Sequence, residues 1–318
     1  MKSKVELTST ETAALLDVHP STVKRWCNDG ELSYEQTPGG HRRIRVDSAV
    51  EFARQRGIRT ILTPFRPFEP HVWTALRDVE NGSYGALHAL ALQWARRGDF
   101  DRLEELYVAL GRDGVVSFPD FCDFGIRGLM AAVGEEWQNG RLRVGDEHMV
   151  SQAVTGALVA LRREWMDTQD SNLDVSGNGA SRPPRPVAVV GTIEGNQHQI
   201  GALCVRLLLE RAGWKVFYPG ADVPAEDFGV IQMSREASLV CVSLPPSGTM
   251  GDVSRTLEIL GEFYDRARPY SVVFGGPSFI GLEGRVNDGP FESVSFLQEC
   301  RTLTEALDSG LGRNGKDT

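Results

Sequence analysis

The chain has 318 residues, of which 41% are hydrophobic and 24% charged, and its formal net charge is −9. This length exceeds one ordinary hydrophobic core, so two or three domains are expected. No run reaches the roughly eighteen apolar residues of a membrane span, and the N-terminus "MKSKVELTST" lacks the apolar region of a signal peptide. The five cysteines are scattered without a CxxC pair, which favours reduced thiols. We expect a soluble, cytoplasmic protein with no membrane partner.

The charge is unevenly distributed along the chain. Residues 1–60 hold ten Lys or Arg against eight Asp or Glu, so this segment is +2 and the remainder is −11. A locally basic head on an acidic body is typical of a small DNA-binding module attached to another domain.

The head segment "STETAALLDVHPSTVKRWCNDGEL" predicts two helices joined by a tight turn at His19–Pro20–Ser21, with Ser21 as the N-cap of the second helix. The following "TPGGHRRIRV" predicts a hairpin-like wing that turns at Gly39–Gly40. Residues 1–60 resemble the winged helix-turn-helix of the MerR and excisionase families, which implies binding of double-stranded operator DNA. The side chains expected to meet the major groove or the phosphates are Ser21, Thr22, Lys24, Arg25, His41, Arg42, Arg43 and Arg45.

The middle of the chain has only helical periodicity. The Pro-rich "TPFRPFEP" predicts a linker at 61–71, and four amphipathic segments in 72–167 predict a four-helix bundle. The polar tract "DTQDSNLDVSGNGASRPPRP" predicts a flexible linker at 168–185.

The third block, 186–308, alternates apolar runs with helical stretches. Its predicted strands are "PVAVVGTI", "WKVFYPGA", "ASLVCVSLPP" and "YSVVFGGPSF". This alternation predicts a parallel, doubly wound, Rossmann-like α/β domain, so the whole is a multidomain α and α/β protein. Residues 309–318 are expected to form a disordered tail.

Polar residues follow three of these strands. His198 comes after the first strand, Ser243–Leu244 end a middle strand, and Gly275–Gly276 end a later one. Ligands of open α/β sheets bind at the carboxyl ends of the strands, where these loops should converge. A loop histidine by itself is more often structural or solvated than a ligand.

The set "NQHQIG", "VSLPP" and "VFGGPS" resembles the signature of cobalamin-binding domains. The resemblance implies that His198 is the lower axial ligand of cobalt and that Gly201 lets the helix begin close to the displaced nucleotide tail. It also implies that Ser243, followed by Leu244, contacts the displaced base, while Gly275 and Gly276 leave room for the tail.

One position departs from that signature. The usual acid two residues before the histidine is Asn196 here. Its amide can accept a hydrogen bond from the imidazole but lacks the charge that would raise imidazole basicity.

Trp137 is followed by nine residues and then Glu147–His148. Taken alone, these are an aromatic residue at a helix end and an acid favoured by the next helix's dipole. Trp-x9-Glu-His also resembles the light-sensing repressors of the CarH/LitR type. That resemblance implies adenosylcobalamin between the bundle and the α/β domain, with the trio around the adenosyl group. It further implies a dark homotetramer, a dimer of dimers on operator DNA, that dissociates when light cleaves the Co–C bond.

Gln138 is a second departure, because the described light sensors carry a histidine after this tryptophan. That histidine takes the vacated upper cobalt position after photolysis, and glutamine cannot replace imidazole as a strong ligand. We therefore expect an altered photoproduct, such as aqua- or weakly ligated cobalamin.

Three functions stay open. The first is a light-responsive, cobalamin-dependent transcriptional repressor, which is not an enzyme. The second is a regulator of the same architecture that responds to another cobalamin form, another ligand or a partner. The third is a corrinoid enzyme or methyl carrier, for which no residues remain to form a catalytic substrate domain.

Overall fold

A computed structural model describes residues 5–112, 115–175, 185–276, 284–286 and 289–312, with the backbone alone for 169–175 and 284–286. The chain divides into two compact units. The first contains Met1–Val116 and Phe124–Ala153, and the second contains Ser117–Asp123 and Val154–Thr318. Within the described residues, no helix has both the length and the apolar character required to cross a membrane.

The first unit begins with a winged helix-turn-helix, as predicted. Its elements are β1 (Glu6–Leu7), α1 (Ser9–Leu15), α2 (Pro20–Asn28), β2 (Glu35–Gln36), β3 (Arg42–Arg45) and α3 (Val46–Gln55). The strands form an antiparallel sheet in the order β1-β3-β2. Leu7, Val23 and Ile44 are fully buried in its core. Gly40 takes a φ of +81° at the wing turn, a conformation that glycine adopts without strain.

The N-cap of α2 differs from the prediction. His19, and not Ser21, caps the helix, because its Nδ1 accepts the backbone N–H of Ser21 at 3.2 Å. Pro20 occupies the first helical position, where its fixed φ suits the helix and its missing N–H leaves no donor unsatisfied.

Helices make up the rest of the middle block. They are α4 (Glu69–Glu80), α5 (Gly85–Ala95), α6 (Phe100–Gly111), α7 (Phe118–Asp120), α8 (Arg127–Gln138) and α9 (Val144–Val175), with a π-helical turn at Phe121–Ile126. The four predicted helical segments are all helical, and α4 precedes them as an additional helix. The chain at Ser117–Asp123 and the part of α9 from Val154 onward belong to the second unit.

The predicted linker at 61–71 is wrong. It contains a 3-10 turn at Thr63–Phe65 and the start of α4. Phe65 is fully buried and stacks on Trp94 of α5, with ring centroids 6.0 Å apart. The prolines suggested an exposed linker. Burial of an aromatic side chain is favourable, however, so this segment packs against α5 instead of extending into solvent.

The second unit is built on a six-stranded sheet. Its elements are β4 (Val187–Ile193), α10 (Ile200–Arg211), β5 (Lys215–Val223), α11 (Ala225–Arg235), β6 (Leu239–Ser243), α12 (Met250–Glu262), β7 (Ser271–Gly275), β8 (Gly284–Val286), β9 (Ser293–Phe296) and α13 (Cys300–Asp308). The strand order is β5-β4-β6-β7-β9-β8, and all pairs are parallel except β8 with β9. The parallel, doubly wound α/β class is confirmed.

The direction of winding reverses between β4 and β6. From β4 the chain passes to β5 on one side and then returns to β6 on the other. Such a switch point opens a crevice at the carboxyl ends of its two strands, which is where open α/β sheets bind ligands.

Two further predicted boundaries differ from the structure. Helix α9 continues to Val175, so the linker expected at 168–185 is helical over its first residues, and 176–184 lie outside the described residues. In the tail expected at 309–318, Leu311 is buried and Gly312 lies so close to Trp214 that a Cβ would come within 2.8 Å of its ring. Residues 313–318 lie outside the described part of the chain.

Asp123, in the π-helical turn, binds the start of α13 within the second unit. Its buried carboxylate accepts the backbone N–H groups of Cys300 at 2.8 Å and Arg301 at 3.0 Å. A negative group is favoured here because the N-terminus of α13 carries unsatisfied donors and the positive end of the helix dipole.

Candidate functional site

The loop that carries His198 follows β4 at the switch point. In the sheet register Thr192 of β4 lies beside Ser243 of β6, and Ser243 lies beside Gly275 of β7. The structure therefore places the His198 loop and the residues after β6 and β7 along one edge of the sheet.

Asn196 fastens this loop to its neighbour strand. It is 1% exposed, its Oδ1 accepts the backbone N–H of His198 at 3.0 Å, and its Nδ2 donates to the Ser243 carbonyl at 3.1 Å. The sequence suggested that Asn196 would accept a hydrogen bond from the imidazole. In the structure its oxygen accepts the main-chain N–H of His198 instead, the bond to the backbone two residues on that is typical of asparagine in an Asx turn.

The His198 side chain itself is exposed at the sheet edge. Its backbone is held by Asn196, so the imidazole projects from a fixed point on the chain. A neutral imidazole nitrogen is a good ligand for a borderline transition metal such as cobalt.

Gly275 and Gly276, at the end of β7, lie next to the end of β6 at this edge of the sheet. The N–H of Leu244 donates to the carbonyl of Gly275 at 2.8 Å. Gly276 has a φ of +140°, and a Cβ there would lie 2.5 Å from the Leu244 carbonyl oxygen. A Cβ on Gly201, by contrast, would meet nothing within 4 Å. Gly276 is thus required by the packing of two loops, whereas Gly201 borders open space at the first turn of α10.

Sequence reasoning missed Asp222, at the end of β5. Its Oδ1 accepts the N–H of Gly195 at 2.7 Å, and its Oδ2 accepts the side-chain amide of Gln197 at 3.0 Å. Its own N–H donates to Thr192 Oγ1 at 3.0 Å. The available signal was "PGADVP", an acid that closes the strand beside β4.

The Trp137 region lies in the first unit, at the end of α8 and the start of α9. Trp137 is 48% exposed, and Val144 and Met149 are also exposed. Glu147 Oε2 lies 2.7 Å from His148 Nδ1, and its Oε1 accepts the Ser151 hydroxyl at 3.0 Å. Exposed large apolar side chains are candidates for contact with a ligand or partner, and Trp137, Val144 and Met149 are candidates of that kind.

Glu136 anchors the end of α8 directly before Trp137. Its buried carboxylate accepts hydrogen bonds from Arg141, with Nε at 2.8 Å, and from Arg96. These bonds, first that of Arg141 and then that of Arg96, lower the pKa of Glu136 to about 2. Gln138, the position of the family's histidine, is exposed one residue beyond Trp137.

The recognition helix presents the predicted DNA side chains unequally. Ser21, Lys24 and Arg25 are exposed, and Thr22 is half-buried. These side chains are not packed in the core, so they are accessible for contact with a groove of DNA.

The wing is partly engaged within the protein. Arg42 donates to Asn28 Oδ1 at 2.7 Å, and Arg45 binds Asp47 through two hydrogen bonds of 2.9 and 2.8 Å. His41 is exposed and Arg43 is half-buried. Arg45 would have to leave its carboxylate partner to reach a phosphate.

Comparison with known proteins assigns these sites to recognised domains. A helix-turn-helix domain matches residues 6–57, and B12 binding domains match residues 89–162 and 186–286. The dimethylamine corrinoid protein of Methanosarcina barkeri is 30% identical over 156 residues, which are 48% of this chain and 67% of that protein. This chain belongs to the B12-binding proteins. The HTH-type transcriptional repressor CarH of Myxococcus xanthus is 31% identical over 141 residues, 44% of this chain.

The order of domains in this B12-binding protein is that of a CarH-type, B12-dependent transcription regulator. The chain spans only 42% of the length of the CarH repressor in that comparison. Among solved structures, the Methanosarcina barkeri monomethylamine corrinoid protein superposes with a TM-score of 0.49 at 17% identity, covering 70% of this chain and 94% of that one.

The residues at the sheet edge fit a corrinoid on chemical grounds. A corrin ring supplies the equatorial ligands of its cobalt, so the protein needs to add only an axial donor. His198 is an exposed imidazole on a held loop, and Gly201, three residues further along the chain, borders open space. Among the residues that the structure describes, no group of three or more His, Cys, Asp or Glu could hold a bare metal ion.

Proposed function

We propose that this B12-binding regulator holds adenosylcobalamin, with His198 as the lower cobalt ligand, and represses transcription by binding operator DNA in the dark. One observation carries the proposal: the exposed imidazole of His198 stands at the switch point of a B12 binding domain in a chain that also presents an exposed recognition helix. An axial ligand and a DNA reader on one polypeptide are what a cobalamin-responsive repressor requires.

Three loops have assigned roles around the lower face. His198 binds cobalt, Gly201 leaves space beside the nucleotide tail, and Ser243 contacts the displaced base. Gly275 and Gly276, with Leu244, form the boundary along which the tail lies. The hydrogen bonds of Asn196 support this assignment, because they hold the imidazole-bearing loop against Ser243 without using the imidazole.

Trp137, Glu147 and His148 serve the adenosyl group on the upper face. The exposure of Trp137 supports this role, because an indole in water gains free energy when a flat apolar ligand covers it. The short contact between Glu147 and His148 leaves the Nε2 of His148 for a ligand or water.

Bound adenosylcobalamin supplies a Co–C bond that visible light cleaves. In the dark, cofactor contacts favour a homotetramer, a dimer of dimers, in which several weak winged heads bind DNA together and gain avidity. Trp137 would pack against the adenosyl group, and without that contact the population would shift towards separate chains, which would bind the operator more weakly.

Gln138 favours a second candidate within the same architecture. An exposed glutamine stands where the described light sensors have histidine, so this position offers no strong ligand after photolysis. The second candidate is a regulator that responds to another cobalamin form. A methyl-carrier role is disfavoured because residues 6–57 form a helix-turn-helix domain.

Purified full-length protein is reconstituted in the dark with adenosylcobalamin, and separately with methylcobalamin and hydroxocobalamin. Absorbance, size-exclusion chromatography and a gel shift on the upstream DNA of its own gene are recorded before and after green light. The first proposal requires an adenosylcobalamin-specific oligomer that shifts DNA and dissociates on illumination. An oligomer that forms selectively with methylcobalamin or hydroxocobalamin, and that does not dissociate in light, would favour the second.

A further inference from the structure

Asp222, at the end of β5, forms several hydrogen bonds to the His198 loop and to the strand before it. Its N–H donates to Thr192 Oγ1 at 3.0 Å and to the Asn196 carbonyl at 3.2 Å. Its carboxylate accepts the N–H of Gly195 at 2.7 Å and the Gln197 amide at 3.0 Å. Gln197 immediately precedes His198, so these bonds hold the chain on the approach to the imidazole.

The backbone of Asp222 is held in a conformation that aspartate seldom adopts. Its φ is +61°, in the left-handed region that non-glycine residues enter at an energetic cost. Because the carboxylate is exposed, burial does not impose this conformation. Hydrogen bonds offset this cost, and the partners of three of them, Gly195, Asn196 and Gln197, directly precede His198.

We propose that Asp222 is a positioning residue that holds the His198 loop in its ligand-ready conformation before cobalamin binds. This inference rests on the proposed function, since it assumes that His198 binds cobalt. Asn196 ties the loop to β6 through Ser243, and Asp222 ties it to β5, so the loop is held by the strands on both sides of β4. The acid absent at position 196 is thus replaced by an acid on the neighbouring strand, which acts on the loop and not on the imidazole ring.

A charged acceptor suits this role better than a neutral one. The two donors, a backbone N–H and a primary amide, point at separate oxygens of one carboxylate, and charge-assisted bonds are the stronger kind. Asparagine could keep part of the arrangement, because it tolerates positive φ and its amide can pair with a flipped Gln197. Alanine would lose the two carboxylate bonds and keep the backbone strain, whereas glycine would lose both the carboxylate bonds and the strain.

The test uses full-length protein labelled with ¹⁵N-histidine and loaded with cob(II)alamin. In its electron paramagnetic resonance spectrum, a ¹⁵N axial ligand splits each cobalt line into a doublet, whereas the cofactor's own ¹⁴N base gives a triplet. Asp222→Ala, Asp222→Gly and Asp222→Asn are compared with Asp227→Asn, an exposed acid on the first turn of α11. Hydrogen exchange of the cofactor-free proteins reports the loop amides independently, and circular dichroism checks folding.

We expect a doublet from the wild type and from Asp227→Asn. Asp222→Ala and Asp222→Gly should bind about tenfold more weakly and show mainly the triplet or no splitting, with faster exchange at 195–198. Asp222→Asn should recover most of the doublet. Wild-type spectra without a doublet would overturn His198 ligation and this inference with it. A wild-type doublet that Asp222→Ala and Asp222→Gly retain at unchanged affinity would overturn the role of Asp222 alone.

Discussion

The side-chain amide of Asn196 donates to the carbonyl oxygen of Ser243 at 3.1 Å, a bond that a carboxylate cannot make. The residue is buried, and its other amide atom accepts the His198 N–H at 3.0 Å. The departure from the usual acid at this position therefore has a structural reason in this chain.

Restoring the family's acid should destabilise the α/β unit. In Asn196→Asp, a carboxylate oxygen would face the Ser243 carbonyl, and we expect a loss of about 1–3 kcal/mol in the free energy of unfolding. Urea denaturation measures it. The matched control is Asn81→Asp, since Asn81 makes the same kind of bond, to the Arg77 carbonyl at 2.8 Å, but is exposed. Equal stability of Asn196→Asp and wild type would refute the assigned bond.

The glycine positions at the sheet edge should differ sharply in their tolerance of a methyl group. Gly276→Ala would combine a φ of +140° with a Cβ 2.5 Å from the Leu244 carbonyl, so we expect a loss of about 1–3 kcal/mol. Gly201→Ala has open space and a helical position, so a change within about 0.5 kcal/mol, or a gain, is expected. Thermal and urea unfolding distinguish them. Similar costs at both positions would contradict the described packing.

Glu136 should contribute a pH-dependent part of the stability of the first unit. Its pKa is lowered from its ordinary value of 4.5 to about 2 by Arg141 and Arg96. A carboxyl group with a lowered pKa makes its full contribution to the free energy of unfolding above about pH 4.5, and it loses that contribution as the pH falls towards 2. Glu136→Gln should therefore unfold earlier than wild type at pH 7, and the two melting temperatures should converge at low pH.

Glu135→Gln is the control for this prediction, because Glu135 is an exposed neighbour on the same helix. It should leave the melting temperature nearly unchanged at every pH. A gap between wild type and Glu136→Gln that stays constant from pH 7 to pH 3 would show that the ion pairs add no proton-linked stability.

The winged head should read phosphates mainly through the recognition helix. We measure how the logarithm of the binding constant for a random-sequence duplex falls with the logarithm of the salt concentration. Arg25→Ala should make that slope shallower by about 0.9, the value for one lost phosphate contact. Arg45→Ala should change it less, because Arg45 is bound to Asp47 at 2.9 and 2.8 Å. Fluorescence anisotropy over a salt series measures both slopes. A full-size effect of Arg45→Ala would mean that Arg45 exchanges Asp47 for DNA.

Much of the fold was predictable because its signals are local. The apolar runs of β4 to β7 and the 3.6-residue periodicity of α5, α6, α8 and α9 lie within single windows of sequence. β9 was missed because "SVSF" is short and half polar. The linker at 61–71 was misassigned because proline suggests exposure, whereas the burial of Phe65 depends on Trp94, which is distant in sequence.

The sequence predicted the edge of the sheet at which the candidate site lies, but not the hydrogen bonds within it. The motif around His198 pointed to the edge of the sheet, and the strand order agrees with that edge. The partner of Asn196 depends on the register between β4 and β6, and the role of Asp222 depends on β5 lying beside β4. Pairings of that kind are decided by packing across tens of residues, which no local pattern records.

Two consecutive hydrogen bonds link the three loops. Asn196 donates to the carbonyl of Ser243, and the N–H of the next residue, Leu244, donates to the carbonyl of Gly275. An insertion or deletion in one of these loops would displace the others, because each provides an anchor for the next. Related chains should therefore vary the lengths of these loops in concert and seldom singly. A library that lengthens only one of them should yield few folded members, whereas exposed His198 can be exchanged freely without loss of fold.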